Sequence, residues 1–190
     1  MAKSIPNHKQ QRYLCVTLIL LFTFITQGAW ADGSSTLEKG QTLPNARLVD
    51  KNGSHIHLND FKGRIKILSM VPQLNTPVCD EQTHRFSEKN GGLDKDVEIV
   101  TISTNSFDDQ AHFSDKADIH NVTFLSDSPD YDFGKTTGLL LPSHGILSRT
   151  VVVADQDNVV RYIEYVPMSQ LPNFENAYQA ARKLVASQGK

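Results

Sequence analysis

The feature that most constrains this chain is an apolar run, Ile65 to Val71, followed closely by a helix start. A run of that length bounded by turn residues reads as a buried strand. Thr76 stands where an N-cap belongs, and Pro77 takes the first helical position, where its missing N–H costs nothing. The polar segment from Pro77 to about Asn90 reads as a helix that ends near Gly91-Gly92. Val97 to Ser103 is a second apolar, β-branched run. Strand, helix and strand in that order specify a parallel βαβ unit, its helix crossing one face of a sheet.

The rest of the chain extends this unit. Ala46 to Val49 and His55 to Leu58 read as short strands around the turn Asp50-Lys51-Asn52-Gly53. Asn59 to Gly63 is a turn feeding the strand Arg64 to Val71. Phe107 to Ala117 reads as a helix, Val122 to Leu125 as a strand, and Tyr131 to Thr136 as a short helix. Leu147 to Ala154 and Val159 to Val166 flank Asp155-Gln156-Asp157-Asn158, a hairpin signal. A last helix starts at Pro172-Asn173, with Phe174, Ala177, Tyr178, Ala181, Leu184 and Val185 on one face. The expected fold is α/β and thioredoxin-like, a central mixed sheet flanked by helices.

Cys79 falls in the first turn of the helix that follows the apolar run. Unpaired backbone N–H groups and the positive end of the helix dipole favour a thiolate there. A thiol at the reference pKa of about 8.5 is only roughly 3% ionised at pH 7, against roughly 90% at a pKa near 6. Asp80 and Glu81 oppose that shift if their charges face the sulfur. A cationic partner from elsewhere in the chain is therefore required.

The first residues read as a secretory leader. Lys3, Lys9 and Arg12 precede the apolar run Tyr13 to Ile25, and Ala29-Trp30-Ala31 supplies small residues at the cleavage spacing. The run is shorter than the roughly 20 residues of a membrane-spanning helix. Cleavage after Ala31 leaves residues 32–190 as a single domain with no stable membrane association, periplasmic or secreted. It also removes three of 19 basic residues and none of 21 acidic ones, taking the net charge from -2 to -5. An acidic chain without a basic cluster is a poor partner for nucleic acid. Cys15 lies in the leader, so Cys79 is the one cysteine of residues 32–190. It has no internal disulfide partner, and a secreted chain with one thiol holds it for reaction or for another molecule.

The spacing Pro72…Thr76…Cys79 has the form P-x-x-x-T-x-x-C and resembles the peroxiredoxin active site. The run Val71 to Phe86 is similar to the thiol peroxidase branch in particular. So are Ser148-Arg149-Thr150-Val151-Val152-Val153 and the helix start Pro172 to Ala177. The resemblance covers roughly Lys39 to Val185. It implies reduction of hydrogen peroxide and small organic hydroperoxides. Cys79 would be the peroxidatic cysteine, attacking as thiolate and becoming a sulfenic acid. Thr76 would hold its hydroxyl toward sulfur and peroxide, Arg149 would supply the missing cation, and Pro72 would shape the loop and exclude water. No cofactor is implied, and a homodimer is. The branch's usual resolving cysteine is missing, with Ser114 at the equivalent place. An external thiol, a thioredoxin-like protein or a small molecule, must therefore resolve the sulfenic acid.

Other readings stand beside this one. A non-catalytic thiol sensor or mixed-disulfide binding protein would carry the same cysteine. A disulfide oxidoreductase is disfavoured because Gln82 stands where C-x-x-C needs its second cysteine. His55 and His57, with Cys79 and His84, invite a metal site, but Cys79 and His84 do not share a helix face. Asn121-Val122-Thr123 matches a glycosylation acceptor at the head of an expected buried strand.

Overall fold

The computed structural model describes residues 36–188, and the expected leader lies outside them. Within it the strand–helix–strand unit is the centre of a seven-stranded sheet. The strands are β1 (Arg47–Asp50), β2 (His55–His57), β3 (Ile65–Met70), β4 (Val97–Ser103), β5 (Thr123–Ser126), β8 (Thr150–Ala154) and β9 (Val160–Tyr165). Their order across the sheet is β2-β1-β5-β4-β3-β8-β9. β3, β4 and β5 run parallel, while β8 and β1 lie antiparallel beside them, so the sheet is mixed.

Alternation along each strand divides the core into two layers. Ile65, Ile67, Ile99, Val151 and Val153 face one layer with Phe86 of α1 (Pro77–Glu88), Phe113 of α2 (Phe107–Lys116) and Tyr178 of α4 (Phe174–Gln188). Leu68, Met70, Val100, Ile102 and Val152 face the other, with Phe133 of α3 (Asp132–Thr137) and the lead-in residues Leu37 and Leu43. Among the described residues no helix is long and apolar enough to cross a membrane.

Two local expectations are corrected. The run Leu147 to Ala154 is not one strand. Ile146–Leu147 (β7) pairs with Leu140–Leu141 (β6) in a separate two-stranded sheet, and the main sheet resumes only at Thr150. The break falls at Ser148-Arg149, where Ser148 N–H donates to Leu139 O at 2.8 Å and Arg149 turns its side chain into the core. Helix α1 ends at Glu88, near the glycines as expected, and buried Asn90 donates its side-chain amide to its last carbonyls, Phe86 O at 3.1 Å and Ser87 O at 2.7 Å. The turn expected from Asn59 to Gly63 begins as a short 3-10 helix, Leu58–Phe61, whose Leu58 and Phe61 are buried.

The hairpin at 155–158 forms as expected. Asp155 Oδ1 accepts the N–H groups of Asp157 and Val159, and Asn158 takes the left-handed backbone conformation the turn needs (φ +64).

Candidate active site

The parallel β3 ends beside the start of its antiparallel neighbour β8, with Met70 opposite Thr150. The loop that leaves β3 carries Pro72 and Thr76, and α1 then presents Cys79. The residue just before β8 is Arg149. Strand pairing thus delivers a guanidinium to a thiol far away in sequence, on the sheet face that α1 covers.

Contact is direct. Arg149 Nη2 lies 3.3 Å from Cys79 Sγ, and both residues are nearly sealed, at 2% and 1% exposure. Arg149 Nη1 donates to Gln82 Oε1 at 2.6 Å, while Nη2 and Nε donate to Met168 O at 3.0 and 3.3 Å. Apart from the sulfur, the partners of the guanidinium are neutral oxygens, and among the described residues it makes no ion pair with a carboxylate. A buried guanidinium cannot shed its proton, and of its contacts only the sulfur can carry charge.

Asp80 and Glu81 do not oppose this. Asp80 is 3.9 Å from His84 and Glu81 is 2.9 Å from Arg85, both partners on the solvent side of α1. His84 also contacts Glu88 at 2.8 Å, which uses it on the helix surface. His55 and His57 are exposed on β2. Among the described residues no three His, Cys, Asp or Glu side chains cluster as a metal site would require.

Thr76 is the N-cap residue, but its side chain caps nothing. Its hydroxyl instead donates to Gln73 O at 3.0 Å, within the loop. The expected N-cap position is the observed one, but the first-turn N–H groups of α1 are left without that side chain. Pro72 is buried where the loop departs from the sheet; just before it Val71 N–H donates to Ile102 O at 3.0 Å. Ser114 is buried on α2 and donates to Ile119 O at 2.8 Å. Two surface grooves, around Asp155 and Leu184 and around Lys39 and Lys183, contain none of these residues, and a third is lined by Pro72, Gln73 and Asn105.

Gln82 is a site residue that sequence reasoning missed. It is fully buried one helical turn after Cys79, its Nε2 donating to Ser69 Oγ at 2.8 Å while its Oε1 holds Arg149. The available signal was its i+3 spacing from Cys79, which places the two on one face of α1.

Known proteins resemble this chain in sequence and in fold. The redoxin family pattern matches residues 38–180. A thiol peroxidase of Streptococcus pneumoniae is 38% identical over 149 residues, covering 78% of this chain and 91% of that protein. Among solved structures, a peroxiredoxin-like protein from Aquifex aeolicus superposes with a TM-score of 0.72 at 29% identity, over 78% of this chain and 88% of the other. The fold of a thiol peroxidase from Chromobacterium violaceum matches with a TM-score of 0.68 at 23% identity, over 82% and 90% of the two chains. The expected thioredoxin-like α/β fold is thus the observed one. The chain belongs to the redoxin family, in the thiol peroxidase branch of the peroxiredoxin superfamily.

Proposed function

We propose that this thiol-dependent peroxidase reduces hydrogen peroxide and small organic hydroperoxides through a sulfenic acid on Cys79, and that an external thiol restores the enzyme. The contact between Arg149 Nη2 and Cys79 Sγ carries the reading. Sealing of the sulfur, at 1% exposure, supports small peroxides as substrates.

In this reading the anionic sulfur attacks the terminal oxygen of R–O–O–H. The S–O bond forms as the O–O bond breaks, giving Cys–S–OH and RO⁻, and sulfur is oxidised as peroxide is reduced. Arg149 donates toward the charge that develops on the leaving oxygen, which then takes a proton from water. Thr76 donates its proton to Gln73 O, which leaves its lone pairs free to act as an acceptor for the peroxide. It therefore accepts from the O–H of the attacked oxygen and selects the protonated hydroperoxide. A first external thiol condenses with the sulfenic acid to a mixed disulfide and water. A second releases Cys79.

The basic, apolar and small-residue pattern of residues 1–31 supports a periplasmic or secreted location. The homodimer implied by the resemblance is read by sedimentation of the mature chain. One experiment tests the central reading. The mature protein is mixed with one equivalent of peroxide, with and without added thiol, and its mass is measured. Gain of one oxygen without thiol, and of a thiol adduct with it, supports the proposal; Cys79→Ser abolishes both. A mass unchanged under peroxide overturns it, and a single turnover with every reductant tried favours the thiol sensor.

A further inference from the structure

We propose that Asn105 is a positioning residue of the peroxide site, acting on Thr76 through the peptide that joins Gln73 to Leu74. Asn105 Oδ1 accepts the Leu74 N–H at 3.0 Å. The carbonyl of that same peptide belongs to Gln73 and accepts the Thr76 hydroxyl at 3.0 Å. One amide plane is thus held at both ends. A hydrogen bond to the N–H polarises the amide and makes its carbonyl a better acceptor, so the two bonds strengthen each other. Loss of the Asn105 oxygen frees the plane to rotate, and the Thr76 proton loses its fixed direction.

Asn105 is itself anchored. Its carbonyl accepts Ser126 Oγ at 2.6 Å, from the end of β5, and its N–H donates to Ser103 Oγ at 3.3 Å, from the end of β4. Ser103 Oγ is held in turn by buried Gln110 of α2, at 3.0 Å, and Gln110 also donates to Leu125 O at 2.9 Å. The ends of two parallel strands and one helix therefore set the position of a side chain in the β4–α2 loop. That side chain sets a peptide in the β3–α1 loop. Side chains that orient a reacting group from behind are worth roughly ten- to a hundredfold in rate when the resulting misplacement approaches 1 Å.

The inference rests on the peroxidase reading above, and the test separates the two. Single-turnover oxidation of Cys79 by hydrogen peroxide is measured beside its alkylation by iodoacetamide, a reagent that needs no acceptor at Thr76. Asn105→Ala is expected to slow oxidation about tenfold or more while alkylation stays within about twofold of wild type. Asn105→Asp keeps the acceptor oxygen and is expected to retain most of the oxidation rate. On a Thr76→Val background, Asn105→Ala is expected to add nothing further, because both act through one hydroxyl. Equal losses in oxidation and alkylation, equal losses in the Ala and Asp variants, or full additivity with Thr76→Val would each overturn the proposal, as would a wild-type rate in Asn105→Ala. A wild-type chain inert to peroxide overturns the peroxidase reading itself, and with it this inference.

Discussion

Arg149 and Cys79 touch at 3.3 Å across 70 residues of sequence, and the guanidinium holds that position through two neutral partners, Gln82 Oε1 and Met168 O. The sulfur is the one contact that can carry charge. Replacing the guanidinium therefore tests catalysis and stability together. Arg149→Met keeps an apolar stem but leaves Gln82 Oε1 and Met168 O without their donor, at an expected cost of about 2–4 kcal/mol. The same change is expected to slow oxidation of Cys79 by peroxide about a hundredfold or more, since a donor to the developing oxyanion is lost. Arg149→Lys keeps the charge but cannot span the sulfur, Gln82 and Met168 together, and should recover only part of the rate. Stopped-flow oxidation and urea unfolding of the three proteins decide the matter. A wild-type oxidation rate in a folded Arg149→Met would contradict the assignment.

Gln82 is expected to act through Arg149. Gln82→Leu leaves the buried Ser69 hydroxyl and one guanidinium N–H without partners, at a cost of about 2–4 kcal/mol in stability and a slower peroxide reaction. Gln82→Glu keeps an oxygen against Arg149 and adds a negative charge that competes with the sulfur for the cation. Its fold should survive while its reaction with peroxide falls about tenfold. If Gln82→Glu reacts as fast as wild type, the guanidinium is not limited by its neutral surroundings.

Asp127 gives the fold a pH dependence of its own. Burial pushes its carboxyl up to about 6, against the lowering effect of the Gly134 and Phe133 N–H groups, each 2.8 Å from a carboxylate oxygen. The native state therefore holds a proton on Asp127 at pH values where the unfolded chain has released it. Its contribution to stability is greatest below the unfolded value near 4 and is lost as pH rises through about 6, a swing of order 1–3 kcal/mol. Asp127→Asn cannot titrate. Urea midpoints between pH 4 and 7 should show wild type declining relative to the variant by that amount. Parallel curves would assign the carboxyl an ordinary pKa.

The sequence made the local chemistry of this site legible and left its tertiary supports hidden. Thr76-Pro77 announces the start of α1 because proline's missing N–H costs nothing at the first helical position, and Cys79 follows by counting. Arg149 was reached through resemblance, since no local property of a strand start says where its side chain will point. The break at Ser148-Arg149 was invisible because Ile146-Leu147 and Val151 to Val153 read as one apolar stretch. The bond that divides them runs to Leu139 O, outside any strand period. Thr76 has the identity and place of a capping residue, yet its oxygen accepts no first-turn N–H and its proton goes to a carbonyl in its own loop. Asn105 carries no signal at all, because its side chain serves the backbone of a segment 31 residues away.

The far end of α1 fixes the near end. Phe86, fully buried, meets Phe174 edge-on at 5.0 Å and Tyr178 at 5.8 Å, and the Tyr178 hydroxyl donates to Arg85 O at 3.0 Å. Desolvation holds that phenol protonated, its pKa pushed up to about 12, so the bond persists through the alkaline range usable for assays. Helix α4 thereby clamps α1, and α1 carries Cys79 at its other end. Phe86→Ala opens a cavity that neighbouring rings cannot close, at an expected cost of about 3–5 kcal/mol. For a domain of this size that corresponds to a fall in Tm of roughly 10 °C. Amide exchange across α1 should quicken from its C-terminal turn inward, as the clamp and not the sulfur contact is removed. If exchange rises first near Cys79 while the last turn stays protected, the order of support along the helix is the reverse of the one argued here.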